Sequence, residues 1–324
     1  MGFSPVDTAA APEWVPHRRQ DGRRFIVTGA NRGIGLATAT TLAALGAHVV
    51  LAGHESSESF DAAIESVVLA TGCARDTLTH MAVDLRSLDS VRGFARSWAE
   101  RPADAQAIHG LVNNAGIAGM PGVSPDGFEM CFQINYLAMF LLTRLLLPHI
   151  VQAGAADEPA RVVCVSSAAH LFTLGVPTDE RYLRREGGGF FSLRYGESKL
   201  CVNAFVRTLA ARLALEAPGR VTVCAVHPGS TASGFWGGLP VWAQKCVAQV
   251  TQEPSRGART SLYCATEPGL ESGAYFAECA PATASFWLSD ARKTAELWTK
   301  SCAWTGVSPN TLLKQAGEPS RRLQ

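Results

Sequence analysis

Residues 24–35 read Arg-Phe-Ile-Val-Thr-Gly-Ala-Asn-Arg-Gly-Ile-Gly, a short apolar run that leads directly into a turn with three glycines. The apolar run predicts a buried strand, and the residues after it carry the three- and four-residue apolar spacing of a helix. Gly29, Gly33 and Gly35 allow a tight turn and let backbone amides approach a pyrophosphate at the helix N-terminus. The stretch therefore indicates a dinucleotide site, although an ordinary structural turn can use the same residues.

Short apolar runs alternate with longer helical segments along the rest of the chain. Strands are predicted over residues 24–28, 48–52, 78–83, 110–113, 161–166 and 221–226. Helices are predicted over residues 34–45, 89–101, 128–150 and 195–216, and we expect Pro148 to end the third. Strands without clean alternation suit a parallel sheet covered on both faces. The sequence thus predicts an α/β fold, a single Rossmann-type doubly wound parallel sheet with helices on both faces.

The domain organisation follows from the segments outside this alternation. Residues 1–22 mix Pro, Ala and charged residues and are predicted to be a flexible leader, and residues 311–324 a tail. The catalytic domain is predicted over residues 23–310. Within it, residues 171–193 form a long insertion between a strand and a helix, which we expect to be functional or mobile. Residues 231–252 are apolar and follow the sixth strand, where a lid over an apolar substrate is predicted.

Composition excludes several classes of protein. The net charge of +1 over 324 residues gives too little basic excess for a nucleic-acid partner. The longest apolar stretch, Tyr136 to Leu147, is interrupted by Thr143 and Arg144 and followed by Pro148, so we predict a core helix and no transmembrane segment. The nine cysteines include no Cys-x-x-Cys pair, which favours reduced thiols in a cytoplasmic protein. No metal site is predicted.

A second motif, Tyr195-Gly-Glu-Ser-Lys199, places a tyrosine and a lysine on one face of a helix. Reduction of a carbonyl needs a hydride donor and a proton donor beside the developing alkoxide. A tyrosine serves if its pKa, about 10 when unperturbed, is brought towards neutrality, and a nearby cation such as Lys199 favours that shift. Ser166 and Ser167 end a strand, where a hydroxyl can hydrogen-bond the reacting oxygen. Taken alone, the pair also fits a surface tyrosine and a solvated lysine.

Several motifs occur in a fixed order along the chain. They are Thr28 to Gly35, Asn113-Asn114-Ala115-Gly116, Asn135, Ser166-Ser167, Tyr195 to Lys199 and Pro228-Gly229. In this order the chain closely resembles the short-chain dehydrogenase/reductase family, which implies interconversion of an alcohol and a carbonyl with a nicotinamide cofactor. The resemblance implies four catalytic residues, Asn135, Ser167, Tyr195 and Lys199. It implies that Ser167 hydrogen-bonds the reacting oxygen, that Asn135 positions a water of the proton relay and that Lys199 holds the nicotinamide ribose.

The resemblance also implies which residues bind the cofactor. They are Gly29, Arg32, Gly33, Ile34, Gly35, His54, Asp84, Leu85, Asn113, Ala115, Gly116, Tyr195, Lys199, Pro228 and Gly229. The segment from Asn113 to Gly116 would form the floor of the cofactor site, the Asp84-Leu85 pair would lie beside the adenine, and Pro228-Gly229 would close over the nicotinamide.

The end of the second strand bears on the choice of cofactor. The position that is acidic in NAD-preferring members of the family is Gly53, and it is followed by His54. Arg32 in the glycine turn adds a second basic group, well suited to a 2′-phosphate. We therefore predict NADP, while Glu55 keeps NAD as the less favoured alternative.

The substrate is suggested by a narrower resemblance. The segments 195–203, 273–279 and 295–298 are similar to the retinol dehydrogenase-like branch, which implies a lipophilic alcohol or carbonyl, including retinoids. Residues 230–234 depart from that branch, so a soluble metabolite is an alternative substrate. A non-enzymatic NADP-binding sensor or scaffold is the alternative from another class. The helices over 128–150 and 195–216 resemble those that pair subunits in this family, which predicts a homo-oligomer. The alternative is that their apolar faces pack only within the core of one chain.

Overall fold

Eight short strands form one sheet. The computed structural model describes residues 14–186, 193–229 and 253–313. The strands are β1 (Arg24–Thr28), β2 (His48–Gly53), β3 (Leu78–Ala82), β4 (Gly110–Asn113), β5 (Ala160–Val165), β6 (Val221–His227), β7 (Tyr275–Ala277) and β8 (Ala280–Ala282). Their order across the sheet is β3-β2-β1-β4-β5-β6-β7-β8. All pairs from β3 to β7 are parallel, and only β8 returns antiparallel.

Helices cover both faces of this sheet, as predicted. They are α1 (Gly33–Ala44), α2 (Ser57–Thr71), α3 (Leu88–Ala99), α4 (Met130–Ala153), α5 (Glu180–Leu183), α6 (Leu193–Glu216), α7 (Pro254–Thr266) and α8 (Ala291–Thr305). One apolar cluster joins α1, α2 and α7 to the sheet, and a second joins α3, α4, α6 and α8 to its other face. The sheet is therefore doubly wound, and the chain order reverses between β1 and β4, where such folds open a binding crevice.

Helix α4 is longer than predicted, because Pro148 does not end it. The helix continues to Ala153 with the proline inside. A proline removes one backbone hydrogen bond, here the one to the carbonyl of Arg144, and the complete burial of Leu147 and Ile150 offsets that loss. The extended helix is long and apolar enough to cross a membrane, yet 78% of its apolar window is buried inside the protein. It is a core helix, as predicted.

The folded domain extends beyond the predicted boundary at residue 23. The ring of Trp14 packs edge-on against Tyr263 with centroids 5.5 Å apart, and Arg259 Nε donates to the Trp14 carbonyl at 3.2 Å. Gln20 is completely buried. Residues 14–22 therefore pack against the domain through an aromatic and an amide side chain.

Described parts of the predicted tail and of the insertion pack against the domain. Leu312 is buried and its N–H donates to Glu216 at 2.9 Å. Within the insertion over 171–193, helix α5 and buried Val176 fold against the domain. The predicted lid over 231–252 lies outside the described residues.

Candidate active site

The glycine turn joins β1 to α1 at the carboxyl edge of the sheet. Gly29 has a φ of 64°, a left-handed conformation that favours glycine. A Cβ on Gly35 would stand 2.1 Å from the Gly29 carbonyl oxygen, so the helix packs on the turn only because residue 35 has no side chain. Arg32 occupies the N-cap position of α1 and makes no side-chain cap hydrogen bond in the described part of the chain. The turn and the amides above it fit a pyrophosphate.

The segment after β4 is attached directly to this turn. Thr28 Oγ1 accepts from the backbone N–H groups of Asn114 and Ala115, each at 3.0 Å. Asn114 Nδ2 in turn donates to the Thr28 carbonyl at 2.8 Å. These three bonds hold the ends of β1 and β4 side by side, and Ile34 packs in the apolar cluster beneath the turn. The predicted floor of the cofactor site is thereby attached to the glycine turn.

Asn113 does not present its side chain to this crevice. It is buried, and its Nδ2 donates to Thr143 Oγ1 at 2.9 Å and approaches Cys164 Sγ at 3.6 Å. The side chain of Asn113 therefore connects β4 to β5 and α4, because the alternation of a strand points it into the core, and a cofactor contact through its backbone stays a prediction.

The four predicted catalytic residues come together at one point. Lys199 Nζ lies 5.7 Å from the centre of the Tyr195 ring, and the Tyr195 side chain is hydrogen-bonded to Ser167. A Cβ on Gly116 would be 3.1 Å from Asn135 Oδ1 and 3.2 Å from Lys199 Nζ, so Gly116 separates these two groups without filling the space. Residues far apart in sequence therefore converge on one crevice at the carboxyl ends of β4 and β5.

The two serines that end β5 have different surroundings. Ser166 is buried, its Oγ donates to the Lys199 carbonyl at 3.2 Å, and it accepts from Asn203 at 2.6 Å. Ser167 is partly exposed and its Oγ accepts from the Ala169 N–H at 3.2 Å. Ser166 thus connects β5 to α6, whereas the Ser167 side chain is hydrogen-bonded to Tyr195.

Asn135 lies in a π-helical segment of α4, Gln133–Leu137, a distortion that often marks a functional site. Its Oδ1 accepts from Ile117 N–H at 2.8 Å, and its Nδ2 donates to the Ile117 carbonyl at 2.9 Å and to Ser198 Oγ at 3.0 Å. Both Nδ2 hydrogens are used by these contacts, whereas Oδ1 accepts one hydrogen bond and keeps a second lone pair. The role of Asn135 in holding a relay water stays a prediction.

Burial dominates the electrostatics of Tyr195 and Lys199. Burial raises the pKa of the Tyr195 hydroxyl above its usual value, although the hydrogen bond from Ser167 opposes the shift. Burial also lowers the pKa of the Lys199 ammonium to about 8. Lys199 Nζ donates to the Val165 carbonyl at 2.8 Å. Desolvation thus disfavours the charged forms of both groups when no cofactor is bound, and the lowering of the tyrosine pKa by Lys199 and an oxidised nicotinamide stays a prediction.

Arg32, His54 and Glu55 cluster at the end of β2, where the adenosine ribose binds in such folds. Glu55 lies between two bases, with its carboxylate 3.9 Å from Arg32 Nη2 and 3.5 Å from His54 Nδ1. Arg32 and His54 remain largely exposed, whereas Glu55 is mostly covered. The structure thus brings together Arg32 and His54, which are predicted to bind a 2′-phosphate, and Glu55, the residue that would favour NAD.

The remaining predicted cofactor contacts lie along the same edge of the sheet. The carboxylate of Asp84 is paired with Arg86 at 2.8 Å, and Leu85 is buried. Pro228 follows β6, and Gly229 has a φ of 76°, so the turn after this strand requires a glycine. The placement of all of these residues agrees with a nucleotide lying across the ends of the strands.

Sequence reasoning missed several residues that build the site. The motifs contain Thr28 and Asn114, for which the sequence analysis predicts no role. Their polar side chains at strand ends are the signal that indicates a position in the site. Ser198 donates to the Tyr195 carbonyl at 2.7 Å, and nothing in the sequence pointed to it. His170 is completely buried beside Ser167, which the sequence also did not indicate.

Comparison with known proteins agrees with this arrangement. The short chain dehydrogenase family model matches residues 23–178. The chain is 35% identical over 293 residues to mouse retinol dehydrogenase 11, covering 88% of this chain and 87% of that protein. It is 38% identical to human dehydrogenase/reductase SDR family member 13, covering 89% of this chain and 74% of the relative. The chain belongs to the short-chain dehydrogenase/reductase family.

Solved structures show the same fold. An uncharacterised protein from Mycobacterium paratuberculosis superposes with a TM-score of 0.69 at 28% identity, covering 91% of this chain and 97% of that one. RhlG from Pseudomonas aeruginosa, solved with NADP, gives a TM-score of 0.64 at 24% identity over 82% of this chain and 97% of its own. The matching family model and the relatives at 35% and 38% identity identify the chain as a retinol dehydrogenase-like member of the family, an NAD(P)-dependent oxidoreductase that acts on CH–OH groups.

Proposed function

We propose that this short-chain dehydrogenase/reductase uses NADP to interconvert an alcohol and a carbonyl on a lipophilic substrate. The observation that carries the proposal is the convergence of Ser167, Tyr195 and Lys199 beside the glycine turn. In the reducing direction a nicotinamide cofactor, when bound, would be the source of the hydride. Tyr195 supplies the proton to the oxygen, while the hydroxyl of Ser167 hydrogen-bonds that oxygen.

The raised pKa of Tyr195 suits the reducing direction. A neutral phenol is the form that can donate a proton, and burial favours this form. Lys199, with its pKa lowered to about 8, carries a proton on most molecules at neutral pH and is adjacent to the tyrosine ring. We propose that Lys199 also binds the nicotinamide ribose and that its charge stabilises the tyrosinate left after proton transfer.

The choice of NADP rests on the end of β2. No side chain extends from Gly53, and a Cβ there would stand 2.5 Å from the Phe60 ring, so an acidic residue at this position is excluded by packing. Arg32 and His54 are exposed and free to approach a 2′-phosphate. Glu55 opposes this preference by partly neutralising both groups, and the extent of its effect is measurable.

The lipophilic substrate is supported by an apolar surface beside the catalytic turn. Phe172 and Leu174 follow the turn and are 76% and 77% exposed, and Phe286 is 70% exposed. Trp287 Nε1 donates to the Thr173 carbonyl at 2.8 Å, which brings the two segments together. Exposed apolar groups at a site entrance favour an apolar ligand. Relatives named retinol dehydrogenase and polyprenol dehydrogenase, the latter 34% identical over 87% of its length, agree with this substrate class.

We also propose a cytoplasmic location, because the described cysteines are free. The eight cysteines of the described residues all carry free thiols, and six of them are buried. Free thiols are typical of a reducing compartment.

Pairing of subunits through α4 and α6 stays a prediction.

The test is oxidation of NADPH, with NADH in parallel, against retinal, long-chain aldehydes, steroids and quinones. The variant Tyr195→Phe removes the proton donor, and Tyr263→Phe, which alters a tyrosine on the opposite face of the sheet, is the matched control. We expect turnover that prefers NADPH. The turnover rate should fall about a thousandfold or more in Tyr195→Phe and stay unchanged in the control.

Other outcomes separate the alternatives. Turnover of small polar carbonyls in place of the lipophilic panel would favour a soluble metabolite as the substrate. Binding of NADPH without turnover of any carbonyl would favour a sensor or scaffold. Equal activity of wild type and Tyr195→Phe would overturn the assignment of the proton donor.

A further inference from the structure

His170 is a buried histidine next to the catalytic serine. It lies in the short turn Ala168–Leu171 that follows Ser167, and its side chain is completely inaccessible to solvent. The Nδ1 atom is 2.5 Å from the Ser167 carbonyl oxygen, and the backbone N–H of His170 donates to the same oxygen at 3.2 Å. The carbonyl of the serine is thus held from two directions by one residue.

The other ring nitrogen contacts a distant part of the chain. His170 Nε2 accepts from the backbone N–H of Ser285 at 3.1 Å, and Ser285 begins the turn Phe286–Ser289 that leads to α8. The imidazole edge also packs against the ring of Tyr275 in β7, with centroids 4.8 Å apart. A single ring therefore connects the catalytic turn to the segment after the sheet.

These contacts require one protonation state. A carbonyl accepts only from an N–H, so Nδ1 carries the hydrogen, and an amide N–H donates only to a lone pair, so Nε2 carries none. Burial lowers the pKa of His170, which agrees with a neutral ring. A protonated ring would direct a second N–H at the amide of Ser285 and would lose that hydrogen bond.

We propose that His170 is a positioning residue that fixes the Ser167 hydroxyl against Tyr195 by holding the Ser167 carbonyl, and that it anchors this turn on Ser285. The proposal rests on the function proposed for Ser167 and Tyr195. The two ring nitrogens then have different roles. The hydrogen bond from Nδ1 positions Ser167 for the reaction, and the hydrogen bond to Nε2 attaches the C-terminal segment to the turn.

Two substitutions separate the nitrogens. In His170→Asn the amide nitrogen replaces Nδ1 and keeps the donor to Ser167, while the acceptor for Ser285 is lost. In His170→Gln the side-chain oxygen replaces Nε2 and keeps the acceptor, while the donor to Ser167 is lost. Because both variants carry an amide of similar size, they control for each other.

The experiment measures kcat and KM with NADPH and the best substrate of the panel, and backbone hydrogen exchange of both segments. We expect His170→Gln to lower kcat by about tenfold or more with KM for NADPH changed by less than about threefold, and His170→Asn to keep kcat within about threefold of wild type. Exchange at residues 168–171 should accelerate in the Gln variant, and exchange at Ser285 in the Asn variant.

Equal losses of kcat in the two variants, or wild-type kcat in His170→Gln, would overturn the positioning role. If wild type turns over none of the panel, the proposed function fails, and hydrogen exchange then decides the question for His170. The crossed pattern of exchange would support the two separate bonds, and acceleration of both segments in both variants would refute them.

Discussion

Glu55→Gln is the change that most directly tests the choice of cofactor. The Glu55 carboxylate lies 3.9 Å from Arg32 and 3.5 Å from His54, so it competes with a 2′-phosphate for both groups. Glutamine has nearly the same shape and removes only the charge. We therefore expect the variant to bind NADPH more tightly than wild type and to bind NADH with equal or lower affinity.

The magnitude follows from Coulomb's law. A phosphate held by Arg32 would lie about 6 Å from the Glu55 carboxylate, which gives a repulsion of about 1 kcal/mol in a water-like dielectric and about 2 kcal/mol where protein covers part of the path. The side chain of Glu55 is 24% exposed, so the value lies within this range. The dissociation constant for NADPH should fall by about five- to thirtyfold.

Calorimetric titration of both cofactors at low and high salt measures this effect. Glu65→Gln is the matched control, because it removes the same charge about 12 Å along α2, beyond the distance at which exposed charges act in physiological salt. The gain in NADPH affinity should shrink as salt rises. A shift no larger than that of the control would refute the reasoning, and a large loss of NADH affinity would instead identify NAD as the cofactor.

Three further predictions concern the site and its support. Gly35→Ala places a methyl group 2.1 Å from the Gly29 carbonyl oxygen, so we expect titration to show cofactor binding weakened by about tenfold or more; unchanged affinity would contradict the packing argument. Asn135→Ala removes three hydrogen bonds and should lower the free energy of unfolding in urea by about 2 to 4 kcal/mol. Asn135→Asp keeps the acceptor for the Ile117 N–H but sets an oxygen against the Ile117 carbonyl, so it should lose at least as much stability, and a loss near zero would refute the role of the bonds donated by Asn135. Burial lowers the pKa of His109 from 6.5 to about 4, so its contribution to stability is complete above pH 6.5 and is lost as pH falls towards 4. Between pH 7 and pH 5 the loss is about 2 kcal/mol, or about half that after solvent screening, and it should be absent in His109→Gln.

The sequence alone determined the layered architecture and indicated the candidate catalytic pair. Apolar runs of strand length and helical periodicity are local patterns, and burial on both faces of a parallel sheet leaves them easy to recognise. The glycine turn and the pair of Tyr195 and Lys199 were also predictable, since a positive φ and a four-residue helical spacing each demand particular residues. Their order along the chain indicated the family, which the comparisons confirmed.

Only the tertiary structure decided how individual side chains are used. Pro148 remains inside α4 because buried neighbours offset one lost hydrogen bond, and Asn113 points into the core because a strand alternates its side chains. The use of His170 depends on Ser285, which lies 115 positions away in sequence. The pKa values of Tyr195 and Lys199 were likewise set by burial and not by their spacing. Local sequence fixes backbone conformation, whereas hydrogen-bond partners and desolvation arise from segments that meet only when the chain folds.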